Sequence, residues 1–210
     1  EQKENDEVIL DKDNIDKIDK AWSFYLSDRE QKLTSNFFDI IDRDLLKSAV
    51  AEGYVHAEFL WARINSTRWG FMNDDVEAFK WYRKSAERGL SDAQFYLSEM
   101  YFEGNGTTKN VSKGMMWLRR SADQNDAFAQ NILGNVYVFG MGVEKDESEA
   151  EYWYKKSAEN GHLEAQSNLG ALYLTGRRGL ENRAEGEKWL IKAAESNYIQ
   201  AQAVLGIAYV

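Results

Sequence analysis

The chain has 210 residues, of which 43% are hydrophobic and 29% charged, and it contains neither proline nor cysteine. Without cysteine there is no disulfide, thiol nucleophile or thiolate metal site, and no apolar run approaches the about 20 residues of a membrane-spanning helix. The formal net charge of −9 disfavours a general nucleic-acid-binding protein, because such proteins need a basic surface. The lack of proline permits long uninterrupted helices.

The acidic excess is concentrated near the N-terminus, where residues 1–54 hold 14 acidic and 8 basic side chains. Charged segments with few apolar residues are usually solvated, so residues 1–13 are predicted to be an acidic flexible leader. The alternative is an acidic arm that docks on a basic partner. Because the chain begins at Glu1 without an initiator methionine and lacks cysteine, we expect an exported protein of the bacterial periplasm. The cytoplasm and the endoplasmic reticulum stay open as locations.

A period of 36 residues organises most of the chain. One alanine, one tryptophan and one tyrosine recur at this spacing, and four of the alanines are followed by glutamine. The three series are Ala21, Ala57, Ala93, Ala129, Ala165 and Ala201; Trp81, Trp117, Trp153 and Trp189; and Tyr101, Tyr137, Tyr173 and Tyr209. Such self-similarity is the signature of a repeat architecture.

The first half of each unit is predicted to be one amphipathic helix. In the unit that starts at Ala129, apolar residues recur at spacings of three and four, which places them on one helix face. A small residue follows in each unit and permits close approach of another helix, and a glycine then ends the helix as a left-handed cap. The small residues are Ser98, Gly134, Gly170 and Gly206, and the glycine stops are Gly104, Gly140 and Gly176.

The second half of each unit is predicted to be a second helix. It opens with a residue whose side-chain oxygen can accept a free backbone N–H. A glutamate three residues later suggests a capping box, and glycine or asparagine ends the helix. The openings are Asp74, Asn110, Asp146 and Asn182; the glutamates are Glu77, Glu149 and Glu185; the stops are Gly53, Gly89, Asn125, Gly161 and Asn197. The predicted fold class is therefore all-α, a solenoid of helix–turn–helix repeats with a 36-residue period.

These residues resemble the Sel1-like repeat, a relative of the tetratricopeptide repeat. The match is nearly complete over residues 129–161, including Leu133-Gly134, Gly142-Val143, Trp153-Tyr154 and Lys156-Ser157-Ala158. The resemblance implies a right-handed α/α solenoid. It covers residues 54–210, with only half of the last repeat present before Val210, which is expected if the chain is truncated or another molecule covers this end. Residues 14–53 are predicted to be a degenerate N-terminal capping repeat, which solenoids use to shield their first apolar face.

The chain offers no recognisable catalytic set. Its two histidines, His56 and His162, are 106 residues apart, so in stacked repeats they cannot share an acid–base or metal site within one monomer. His162 lies in a turn between repeats and is expected to face solvent. We therefore predict no enzymatic activity, no catalytic residues, no metal and no cofactor.

A partner is expected on the concave face of the solenoid, because related tetratricopeptide arrays line that face with their first helices. The relevant positions lie opposite the apolar stripe, two, six and nine residues after the recurring alanine. They are Phe59, Arg63, Phe95, Glu99, Phe102, Asn131, Asn135, Val138, Ser167, Ala171 and Leu174. Phe95 and Phe102 are either an exposed adhesive patch or part of the packing between repeats. Asn131 and Asn135 either hold a peptide backbone through their amides or are simply solvated.

The leading functional hypothesis is a non-enzymatic protein–protein interaction module, an adaptor or scaffold, whose partner is another protein or a peptide. The resemblance implies this role, often in exported bacterial proteins and also in quality control of the endoplasmic reticulum. One alternative is an immunity protein that neutralises a cognate secreted bacterial toxin, for example a lipase effector. Another is a cell-wall-related hydrolase, which the missing catalytic set disfavours. The oligomeric state and the identity of the partner are left open.

Overall fold

The computed structural model describes residues 11–27, 42–68, 70, 72–175 and 182–208. Within these ranges the chain forms eleven α-helices and no β-strand, which confirms the predicted all-α class. The helices are α1 (Lys12–Ser27), α2 (Arg43–Ala51), α3 (Val55–Asn65), α4 (Asp75–Glu87), α5 (Ser91–Glu103), α6 (Val111–Asp123), α7 (Ala127–Phe139), α8 (Glu147–Glu159), α9 (Leu163–Thr175), α10 (Arg183–Glu195) and α11 (Ile199–Ala208). None of these helices is long and apolar enough to cross a membrane.

The chain divides into two compact units, Glu1–Gly114 and Met115–Val210, here called unit 1 and unit 2. Within each unit, first helices pack against the second helices that follow them. This pairing joins α3 to α4 in unit 1, and α7 to α8 and α9 to α10 in unit 2. The helix–turn–helix organisation predicted from the 36-residue period is therefore confirmed.

The predicted N-caps of the second helices are confirmed at three positions. Asp74 accepts a hydrogen bond from Glu77 N at 3.0 Å, Asn110 from Lys113 N at 2.9 Å, and Asp146 from Ser148 N and Glu149 N at 2.9 and 3.1 Å. Asn182 makes no such bond. Each of the three capping residues also donates its own backbone N–H to the end of the preceding first helix. The acceptors are the carbonyl oxygens of Asn65, Tyr101 and Tyr137.

The expected capping box forms only in part. The N-cap side chain accepts as predicted, but the glutamate does not accept from the N-cap backbone N–H. Since the backbone N–H of Asp74 and of Asp146 is already bonded, the glutamates three residues later have no capping donor to reach. Their carboxylates accept instead from the tryptophan one turn further along. Trp81 Nε1 donates to Glu77 at 2.5 Å, and Trp153 Nε1 donates to Glu149 at 3.1 Å. In these two repeats the tryptophan and the glutamate are thus partners of each other, whereas Glu185 accepts from Nζ of Lys188 at 3.0 Å.

The helix stops behave as predicted where the structure describes them. Gly104 and Gly140 take left-handed conformations with φ of 85° and 71°, and each closes its helix by donating its N–H to the carbonyl four residues back. Asn125 and Asn197, with φ of 66° and 63°, replace glycine after second helices, as expected for a residue tolerant of positive φ. Gly176 lies outside the described residues.

The recurring glutamine joins consecutive repeats within each unit. Its side chain donates to a carbonyl eight residues back, in the last turn of the preceding second helix, where backbone acceptors lack helical partners. The bonds run from Gln94 to Ala86, Gln130 to Ala122, Gln166 to Ala158 and Gln202 to Ala194, at 3.1 to 3.2 Å. This repeated bond fixes how each first helix follows the second helix before it.

The predicted close approach at the small residues is confirmed at Gly134 and Gly170, whereas an added Cβ on Gly206 would meet nothing within 4 Å. A Cβ on Gly134 would lie 2.3 Å from Cδ1 of Tyr154, and a Cβ on Gly170 would lie 2.5 Å from Cγ of Leu190. Both glycines therefore let the second helix of the same repeat pack directly on the first.

The N-terminal helices cover the start of the repeats. α1 begins at Lys12, two residues before the predicted start of the capping repeat, and buries Ile18, Ala21 and Tyr25. The Tyr25 hydroxyl donates to Oδ1 of Asp92 on α5 at 2.8 Å. Residues 1–10 of the predicted leader lie outside the described residues.

Candidate partner-binding surface

The first helices are buried around more of their circumference than the sequence predicts. The position two residues after the recurring alanine is buried in the four repeats that match from Ala57 to Ala165, at Phe59, Phe95, Asn131 and Ser167, and it is exposed at Ala203. The expectation that these side chains lie on an exposed face is therefore wrong. Each first helix has neighbours on both sides, so its buried stripe is wider than the apolar pattern of a surface helix.

In unit 1 an aromatic–arginine cluster fills the expected binding positions. The cluster consists of Tyr25, Phe59, Arg63, Tyr82 and Tyr96, and both Phe59 and Arg63 are 0% exposed. The Phe59 ring centroid lies 4.8 Å from that of Tyr25 and 5.8 Å from that of Tyr96. α1 supplies Tyr25 and thereby closes this side of α3 to a partner.

Arg63 stabilises the cluster through its guanidinium. The guanidinium carbon lies 4.7 Å from the ring centroid of Tyr96 and 5.3 Å from that of Tyr25, which is the geometry of a cation–π interaction. Burial raises the pKa of the neighbouring Tyr82 hydroxyl, and the Arg63 charge partly opposes this rise. The expected role of Arg63 on a binding face is therefore replaced by a role in packing.

The proposed patch of exposed phenylalanines is absent from α5. Phe95 is 7% exposed and packs edge-on against Tyr96 at 5.1 Å between ring centroids. Phe102 is half-buried over Gly114, whose Cβ would lie 2.7 Å from the Phe102 ring. Both phenylalanines therefore take part in packing, the second of the two alternatives for them. Glu99, also half-buried, has Oε1 at 3.5 Å from Nη1 of Arg68.

In unit 2 the corresponding positions carry amides that bond to one another. Asn168 Nδ2 donates to Oδ1 of Asn131 at 3.1 Å and lies 3.4 Å from Oδ1 of Asn135. The Tyr154 hydroxyl also donates to Asn135 Oδ1, at 2.6 Å. Burial raises the pKa of Tyr154, and the nearby Glu164 charge adds to the rise, so this hydroxyl keeps its proton. We call Asn131, Asn135 and Asn168 the asparagine cluster; the sequence did not single out Asn168.

An apolar groove lies beside the asparagine cluster in unit 2. It has a volume of about 400 Å³ and is lined by Ala171, Leu174, Thr175, Arg183, Val204 and Ile207. Ala171 and Leu174 are two of the predicted partner-binding residues and are half-buried, whereas Ile207 is 78% exposed. Val138 packs instead against the core around Ala150 and Leu169.

The two histidines occupy structural positions in separate units. The His56 ring stacks on Trp22 at 4.5 Å between centroids, with Nδ1 at 3.9 Å from Asp19. Burial lowers the pKa of His56, and the charges of Asp19 and Asp92 oppose this. The expectation that His162 faces solvent is wrong: its Nδ1 accepts from Ala165 N at 3.3 Å, and its ring packs against Phe128.

No group of three or more carboxylates and histidines among the described residues could hold a metal ion.

The sequence model of the Sel1 repeat matches four consecutive segments, residues 55–90, 91–126, 127–162 and 163–198. Each matched segment is one helix–turn–helix unit of the observed period. Sel1 repeats commonly serve as protein-interaction modules and are typically non-catalytic scaffolds. A comparison with curated proteins finds no significant match.

Three solved structures have similar folds. The c5321 protein, a protective antigen present in uropathogenic Escherichia coli strains, is 29% identical with a TM-score of 0.74 over 93% of this chain. This chain spans only 41% of the length of that protein. A Sel1 repeat protein from Oxalobacter formigenes is also 29% identical, with a TM-score of 0.74 over 91% of this chain and 75% of its own. A third, from Klebsiella pneumoniae subsp. pneumoniae, shares the fold at 18% identity, a TM-score of 0.59 and 94% coverage of both chains.

Proposed function

The chain belongs to the Sel1 repeat family, and on this premise we propose that it is a non-enzymatic adaptor that binds a protein partner through the first helices of unit 2. The observation that carries the proposal is a difference between equivalent repeat positions. In unit 1 these positions are filled by the aromatic–arginine cluster, and in unit 2 they carry amides and small side chains beside an open groove.

The exposed apolar surface of the groove supports this choice of face. Burial of an apolar side chain at an interface is favourable at roughly 25 cal/mol per Å² of area removed from water. Leu174, Val204 and Ile207 supply such area on two neighbouring first helices, α9 and α11. Neutralisation of a toxin is a special case of the same function, in which the partner is a secreted enzyme.

Site-specific crosslinking tests the proposal in cells that naturally produce the protein. A photo-crosslinking amino acid at Leu174 should give a discrete adduct with one partner. The same group at Lys155, which is exposed on the second helix α8, is the matched control within unit 2. Adducts of equal yield from both positions, or none from Leu174, would show that the groove is not the binding face.

A further inference from the structure

Hydrogen bonds fix the orientation of the side-chain amides in the asparagine cluster. A side-chain amide has one acceptor oxygen and two N–H donors, and its orientation follows from its hydrogen bonds. Oδ1 of Asn135 accepts from the Tyr154 hydroxyl, and Oδ1 of Asn131 accepts from Asn168 Nδ2. The carbonyl ends of both amides therefore point into the protein and are satisfied there.

Two of these amides present their opposite ends at the surface. Among the described residues, no hydrogen bond is donated by Nδ2 of Asn135, and none is accepted by Oδ1 of Asn168. Both residues are half-buried, whereas Asn131 is only 1% exposed and serves to hold Asn168 in place. One pair of N–H donors and one acceptor thus lie together between α7 and α9.

This pattern matches a peptide backbone. Backbone carbonyl groups accept from amide N–H donors, and a backbone N–H can donate to a side-chain oxygen. A carboxylate ligand is disfavoured by the acidic surroundings: the Glu164 charge acts on Tyr154, and Glu151 accepts from the Tyr173 hydroxyl. Residues 115–210 hold 13 acidic and 10 basic side chains, a net charge of −3, so a neutral or basic segment is the complementary partner.

The apolar groove continues this site by one repeat. Ser167 and Ala171 occupy on α9 the repeat positions that Asn131 and Asn135 occupy on α7, and Ala171 lines the groove. Neighbouring packed helices lie about 8–10 Å apart, a distance that about three residues of an extended chain cover. A strand held at the cluster can therefore place one of its next side chains in the groove.

We propose that Asn135 and Asn168 of the asparagine cluster bind the backbone of an extended, neutral or basic peptide segment of a partner protein, with one large apolar side chain of that segment in the groove. This inference rests on the proposed adaptor function and specifies the form of its ligand. Recognition through the backbone tolerates varied sequences, and the groove adds a requirement for one apolar residue.

The test uses a phage-displayed library of random twelve-residue peptides, selected on the whole chain. The counter-selection uses the Asn135→Asp variant. Aspartate keeps the oxygen that accepts from Tyr154 and Asn168 and replaces the N–H donors with a second acceptor. The variant therefore separates the binding role of this amide from its role in packing. Enriched peptides should share one large apolar residue and carry no net negative charge.

A synthetic enriched peptide is then titrated by fluorescence anisotropy. Asn135→Asp should weaken binding by at least about tenfold, since donors are lost and a charge faces the peptide carbonyl groups. Asn197→Asp, which adds the same charge on the exposed turn after α10, should change affinity by less than about twofold. Replacing one backbone amide of the peptide with an ester should weaken binding, which a site that reads only side chains would not show.

Ile207→Glu gives a second readout that does not depend on the asparagines. This residue is 78% exposed, so the substitution spares the fold and should weaken binding by about fivefold or more through loss of the apolar contact. Failure to enrich any peptide, or affinities within about twofold for both Asn135→Asp and Ile207→Glu, would overturn the peptide site. A Leu174 adduct together with that failure would leave the adaptor function intact and point to a folded partner surface.

Discussion

The same repeat positions serve different ends in the two units. On α3 and α5 of unit 1 they hold Phe59, Arg63 and Phe95, which are buried among aromatic rings. On α7 and α9 of unit 2 they hold asparagine, serine and alanine. Asn131 and Ser167 are buried, whereas Asn135 and Ala171 are half-buried and Ala171 lines the groove. One repeat scaffold is thus closed to a partner at one set of positions by large side chains and left accessible at another by small or polar ones.

The largest effect on stability is expected from removing a buried aromatic ring in unit 1. Phe59→Ala should lower the free energy of unfolding of unit 1 by about 3–5 kcal/mol, because a fully buried ring leaves a cavity. Phe139→Ala is the matched control, since that ring is largely exposed at the end of α7, and it should change stability by less than about 0.5 kcal/mol. Denaturant titration measures both. Equal effects would contradict the filled core of unit 1.

The helix contacts of unit 2 give an intermediate effect. Gly134→Ala should destabilise by about 1–3 kcal/mol, because the added methyl meets the Tyr154 ring. Gly206→Ala, in α11 with nothing within 4 Å of the new Cβ, should stabilise by about 0.5–1 kcal/mol through helix propensity. Thermal unfolding followed by circular dichroism shows whether each substitution lowers or raises the stability. Destabilisation by both substitutions would contradict the specific Gly134–Tyr154 contact.

A smaller effect is expected at the repeated glutamine. Gln130→Ala should cost about 1–2 kcal/mol, because the Ala122 carbonyl loses its donor in a buried setting. Gln202→Ala removes the same bond at an exposed position, where water replaces it, and should cost less than about 0.5 kcal/mol. Denaturant titration of the two variants compares the bond in two environments. A loss of stability at Gln202 as large as at Gln130 would mean that burial does not determine how much this hydrogen bond contributes to stability.

The smallest effect concerns the pH dependence of unit 1. Because burial lowers the pKa of His56 from 6.5 in the folded state, the unfolded chain binds this proton first as the pH falls. Folding stability should therefore decrease as the pH falls below about 6.5, and it should level off once the pH is below the folded-state pKa of His56. His56→Gln should flatten that part of the stability curve. Nuclear magnetic resonance of the ring protons tests the cause directly, since a midpoint at or above 6.5 would contradict it.

The sequence predicted the repeat organisation well because periodicity, caps and stops are local signals. The alanine phase located each first helix, and Gly104 and Gly140 mark where two of them end. The Glu77–Trp81 bond was missed, because a glutamate three residues after an N-cap fits a capping box equally well until the competing acceptor, Asn65 O, is known.

The binding face was predicted less well because burial depends on neighbours distant in sequence. Arg63 lies opposite the apolar stripe, and only the packing of Tyr25 from α1 shows that it is buried. Asn168 was missed for a similar reason: its partners Asn131 and Asn135 lie a whole repeat away, and no local pattern links them. Asn135, Ala171 and Leu174 remain predicted binding residues.

Paired crosslinking in the two units tests whether a partner binds unit 2 rather than unit 1. Thr175 and Glu103 end equivalent first helices at the same repeat position, and both are exposed, but only Thr175 lines the open groove. A photo-crosslinking residue at each site is activated in cells that naturally produce the protein. A partner adduct from Thr175 and none from Glu103 is the predicted result. An adduct from Glu103 alone, or equal yields from both, would contradict the assignment of binding to unit 2.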